Sequence, residues 1–107
     1  MSHVLSIGTH HYIVLAAALL AIGAIGAIVR RNALVLLMSV ELMLNAGNLV
    51  FVAYAREYGD AGGHVLAFFV MAIAAAEAAV GLAIIIGVYR TRQTIDVDEL
   101  DSLRDET

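Results

Sequence analysis

Cysteine is absent from the 107 residues, which excludes disulfides and thiolate-held zinc or iron–sulfur clusters. Proline is absent too, so no ring need break a helix. There is no lysine, and Arg30, Arg31, Arg56, Arg90, Arg92 and Arg104 are the only permanent cations. Charged residues make up 15% of the chain, against about a quarter in a soluble domain. The formal net charge of −4 comes largely from the last dozen residues. A nucleic-acid binder needs a basic face, and none is available. What the chain has is apolar surface: 62% of its residues are hydrophobic and the mean hydropathy is +0.89. Composition therefore describes a small integral membrane protein.

Three stretches are nearly free of charge. Tyr12 to Val29 has none, Ala33 to Tyr54 has only Glu41, and His64 to Tyr89 has only Glu77. As helices they would extend roughly 27, 33 and 39 Å, against a hydrocarbon core of about 30 Å. Barrel strands would alternate polar and apolar residues, whereas runs such as Leu15 to Leu20 are continuous. The expected fold is all-α, with membrane helices over about 12–29, 33–54 and 64–89. The small residues from Ala21 to Ala27 resemble a cleavage region, but no Lys or Arg precedes Tyr12, so the first helix is expected to be retained.

Arginine sets the expected topology. Arg30 and Arg31 follow the first helix, Arg90 and Arg92 the third, and the intervening loop has Arg56 alone. Positive residues favour the cytoplasm, which puts the N-terminus outside and the C-terminus inside. Arg30, Arg31 and Asn32 form a tight hairpin in this reading. Ala55 to Gly63, with Gly59, Gly62 and Gly63, form the outer turn. Residues 1–92 make up a membrane domain and 93–107 an acidic cytoplasmic tail. Val97, Leu100 and Leu103 recur every three residues, which would suit a short amphipathic helix, but a solvated tail is the preferred expectation.

Two membrane carboxylates carry the candidate chemistry. Each costs about 2.5–3.5 kcal/mol at a helix centre on insertion scales, so an intramembrane acid implies a partner or a task. Measured from the inner ends of their helices, Glu41 lies about 12 Å deep and Glu77 about 18 Å. The two are thus expected at similar depth, offset by roughly 6 Å, as a proton relay requires. Glu41, Asn45 and Asn48 share one helical face, and this polar stripe must face protein or water. Ala75, Ala79, Ala83 and Gly87 repeat every four residues, an apparent ridge for close helix contact. Glu77 points away from that ridge, so the third helix is expected to be sandwiched between partners. His3, His10, His11 and His64 lie at the expected outer surface without the helical pairing a metal site favours. Gly23 to Gly26 lacks the strand of a dinucleotide loop.

Three segments together resemble subunit K of NADH-quinone oxidoreductase, the complex I subunit 4L family. They are Arg30-Arg31-Asn32, the run from Ser39 to Asn48 around Glu41, and the run from Ala75 to Leu82 around Glu77. The resemblance extends from about Tyr12 to Arg92, with the acidic tail beyond the family's usual end. It implies a three-helix subunit in the membrane arm of a respiratory translocase in the cell (plasma) membrane. Glu41 and Glu77 would be proton-pathway residues, Asn45 and Asn48 supporting polar residues, and Arg30 and Arg31 loop residues that support activity. It implies no cofactor in this chain, with quinone, flavin and iron–sulfur clusters in other subunits. Implied partners are the A-, J- and N-type membrane subunits and the bilayer.

Other classes fit less well. A C-type subunit of a multi-subunit sodium/proton antiporter has the same size but usually lacks the paired glutamates. A small multidrug exporter has four helices, and a rotary-ATPase ring subunit has two. A non-catalytic assembly subunit is the remaining alternative.

Overall fold

The computed structural model describes residues 6–101. They form α1 (Thr9–Val29), α2 (Ala33–Tyr58) and α3 (Ala61–Arg92), followed by one 3-10 turn at Glu99–Asp101. All three long helices are long and apolar enough to cross a membrane. α1 packs on α2 and α2 packs on α3, so α2 is the central element and has two working faces.

Small residues make both joints. In a bilayer, lipid solvates apolar side chains as well as protein does, so close backbone approach and polar contacts hold helices together. A Cβ on Gly23 would lie 2.9 Å from the Ser39 carbonyl oxygen, and one on Gly26 would lie 2.5 Å from Ser39 Oγ. Among the described residues the buried core is Ala16, Gly23, Ser39, Ala46, Asn48, Ala53, Ala55 and Ala67, and no large side chain is fully enclosed. Many Leu and Ile residues, with Phe51, Phe68 and Phe69, point outward, toward lipid or neighbouring protein.

The expected ridge on α3 does not form its joint. Ala75, Ala79, Ala83 and Gly87 are all exposed. Instead Gly63 abuts Ala55 and Gly81 abuts Leu37, with Ala67 buried between them. A strict four-residue repeat drifts by about 40° per step and winds round the helix. The contacting positions 63, 67, 74, 78 and 81 mix threes and fours, and so stay on one side.

The turn between α2 and α3 is shorter than expected. α2 continues to Tyr58, where Tyr54 and Tyr58 stack 6.0 Å apart. Gly59 then adopts a left-handed conformation (φ 63°) that terminates the helix. Asp60 Oδ1 accepts the Gly62 N–H at 2.8 Å and starts α3. Gly62 and Gly63 therefore belong to α3. Arg56 donates to the Tyr12 hydroxyl at 3.2 Å and ties α1 to α2 at this end.

At the opposite end Arg30, Arg31 and Asn32 form the expected hairpin. Asn32 Oδ1 accepts the N–H groups of Leu34 and Val35 at 2.9 and 3.2 Å, capping α2. The tail is not simply solvated. Gln93 turns left-handed (φ 61°) and reverses the chain. Asn32 and Asp96 then form an antiparallel bridge, flanked by Ala33 N–H to Ile95 O at 2.8 Å and Val97 N–H to Arg31 O at 3.0 Å. Ile95 and Leu100 line an apolar cleft with Ala33, Ile84, Ile85 and Val88. Arg31 pairs with Asp98 at 3.0 Å, but both side chains are mostly exposed, so the pair contributes only about 0–1 kcal/mol. Backbone bonds and the apolar contact hold the tail. Leu103 and Arg104 lie outside the described residues.

Candidate functional site

The packing of α3 on α2 fixes the level of the two glutamates. Leu37 faces Gly81, and Ala55 faces Gly63. In an antiparallel pair the opposed residue numbers have a constant sum, here 118. Glu41 and Glu77 share that sum and lie at one level, so the expected 6 Å offset disappears. By the same register Ala33 is level with Ile85, and both line one cleft. The last seven residues of α3 therefore overhang the start of α2, and depths counted from each helix's own end are not comparable.

Glu41 faces the joint. Its Oε1 is buried with no hydrogen-bond partner, as is Oδ1 of Asn48. Asn48 is only 7% exposed. Glu41, Asn45 and Asn48 line a cleft of about 200 Å³ with Leu44, Met71, Ala74 and Ala75. The shared face read from their spacing is thus present. Asn45 Nδ2 donates to the Glu41 backbone carbonyl at 3.0 Å, a local bond that leaves the carboxyl unengaged.

Glu77 is placed differently. It is two residues beyond Ala75, hence turned about 200° round α3 from the cleft wall, and it stands exposed on the chain's surface. Two buried carboxyls are not what the fold presents: Glu41 is half-buried with one covered oxygen, and nothing among the described residues covers Glu77. A carboxyl at that level of a membrane requires protein or water beside it.

Both loop arginines are exposed, and Arg31 also pairs with Asp98. His10, His11 and His64 are exposed, and His3 lies outside the described residues. Among the described residues no three His, Asp or Glu side chains group to hold a metal.

Sequence reasoning missed two features. Gly23 and Gly26 provide the close approach of α1, and a small-residue pair facing Ser39 was the available signal. Ile95-Asp96-Val97-Asp98 alternates with the period of a strand, a short and weak signal of the bridge at Asp96.

Comparison with known proteins agrees with this architecture. The family model described as NADH-ubiquinone/plastoquinone oxidoreductase chain 4L matches residues 11–105. That span takes in residues 93–105, so most of the acidic tail lies within the family's extent rather than beyond it. NADH-quinone oxidoreductase subunit K of Anaeromyxobacter sp. (strain Fw109-5) is 60% identical over 94 residues, covering 88% of this chain and 94% of its own length. Subunit K of Myxococcus xanthus (strain DK1622) is 61% identical with the same coverage. Subunit K of Roseiflexus castenholzii (strain DSM 13941 / HLO8) is 53% identical over 96 residues, covering 90% of this chain and 96% of its own. The match runs through all three helices and into the tail, and the chain belongs to the NADH-quinone oxidoreductase subunit K (chain 4L) family.

Proposed function

We propose that this chain contributes Glu41 and Glu77 to proton translocation coupled to quinone reduction. Family membership makes it a multi-pass membrane subunit of an oxidoreductase complex. The carrying observation is the buried, unpartnered Glu41 Oε1 on the α2–α3 cleft. A purely structural carboxyl would be expected to be satisfied by a hydrogen bond within the fold. This one lies beside an amide oxygen that also lacks a partner, in a space large enough for water.

In this mechanism the carboxyl of Glu41 takes up a proton and releases it along the cleft, where Asn45 and Asn48 offer polar groups. Glu77, level with it, exchanges protons with the neighbouring subunit that covers it. Arg30 and Arg31 support activity from the cytoplasmic loop. We assign the N-terminus to the outside, the tail to the cytoplasm and the complex to the cell membrane. The partners are A-, J- and N-type membrane subunits, and flavin, iron–sulfur and quinone sites belong to other subunits.

The test is proton uptake in membrane vesicles driven by the native electron donor. Glu41→Gln keeps shape and hydrogen bonding but cannot carry a proton, and uptake should fall roughly tenfold or more. Glu41→Gln with Glu77→Gln should abolish coupled quinone reduction while the peripheral arm still reduces artificial acceptors. Full pumping by the assembled double variant would leave only an assembly role.

A further inference from the structure

We propose that residues 93–100 form a strap that stays closed during turnover and positions the Arg30–Arg31 loop against the end of α3. This inference rests on the reading of that loop as supporting activity. Four features converge on one short segment. Gln93 reverses the chain with a left-handed residue that is not glycine. Two backbone hydrogen bonds, from Ala33 to Ile95 and from Val97 to Arg31, clasp the loop on both sides of Asn32. Ile95 enters the apolar cleft that Ala33 of α2 shares with the end of α3. Asp98 reaches Arg31 at 3.0 Å. α1 and α3 each pack on α2, and the strap adds a second tie between the first hairpin and the end of α3. Both loop arginines remain presented at the surface, and Arg31 alone has an acidic neighbour from the strap, Asp98.

The bridge geometry supplies a direct test. Asn32 and Asp96 oppose each other at a position whose hydrogen bonds come from the flanking residues. Such pairs have Cα atoms about 4.5 Å apart, within the range a disulfide spans. The chain contains no cysteine, so Asn32→Cys with Asp96→Cys introduces its only thiols. In the assembled complex, mild oxidation is expected to cross-link this pair within the chain, seen as a reductant-sensitive mobility shift of the tagged subunit. Quinone reduction by the cross-linked complex should equal that of its reduced form. Adding Ile95→Asp should lower the cross-link yield about tenfold, because a carboxylate does not enter an apolar cleft unpaired. That variant should lose quinone reduction when reduced and regain it in the fraction locked by prolonged oxidation. Where Ile95→Asp blocks assembly, Val97→Pro, which removes the N–H that bonds Arg31 O and also stiffens the backbone there, takes its place. Absence of the cross-link in the assembled complex would overturn the strap. Loss of activity on locking, or equal activity open and closed, would overturn its positioning role. Neither result bears on the proton pathway, which is read from the glutamate variants.

Discussion

At the scale of single residues, Asn48 separates function from packing. Its buried Oδ1 has no partner, and an unsatisfied buried acceptor costs about 1–3 kcal/mol. Asn48→Leu should therefore leave assembly intact or improve it on native gels. Under the proton-path reading it should nevertheless reduce proton uptake severalfold, because the polar wall of the cleft is gone. The glycines divide in the same way. Gly23→Val would drive a side chain into the Ser39 carbonyl and should destabilise the α1–α2 joint by about 1–3 kcal/mol. Nothing lies within 4 Å of a Cβ at Gly47, so Gly47→Ala should stabilise α2 by about 0.5–1 kcal/mol. Thermal denaturation of the purified complex distinguishes the two. The face shared by Glu41, Asn45 and Asn48 was legible in the sequence because spacing within one helix fixes azimuth. The exposure of Glu77 was not, since it depends on which side of α3 meets α2.

At the scale of elements, the apolar runs marked the middle of every helix but not the ends. Arg56 and Glu57 read as loop residues by charge, yet they continue α2 until Gly59 stops it. Gly59→Ala must hold a left-handed residue with a Cβ, and should cost about 1 kcal/mol. The ridge of α3 misled for a different reason: alanine is so frequent there that a four-residue repeat arises without a joint. Ala79→Leu should accordingly preserve the α2–α3 contact, whereas Gly63→Val should break it, its Cβ meeting Ala55 and the Phe51 carbonyl. Cross-linking between cysteines placed on α2 and α3 would report both outcomes. The bridge at Asp96 was not legible because acidity argues for solvent, and the short alternation of Ile95 and Val97 with two aspartates is too weak a signal to outweigh it.

At the scale of the whole molecule, two helices leave their outer faces bare and one exposes a glutamate at membrane depth. Expressed without its partner subunits the chain should be degraded, and pulse-chase labelling would show it. Cysteines placed singly at Ser6 and Thr94 should react with an impermeant reagent from opposite sides of the membrane. Reaction from the same side would refute the three-span topology. The overhang of α3 has a further consequence. α1, with 21 residues, is about 32 Å long, and α3, with 32 residues, about 48 Å long. A flat bilayer of uniform thickness cannot match both without tilt or deformation. Acyl-chain length thus becomes a variable of this subunit: lipids matched to α1 strand the end of α3 in the headgroups, and longer lipids stretch to reach past α1. Reconstitution across a series of chain lengths should give an optimum in activity that shifts when α3 is shortened by one turn.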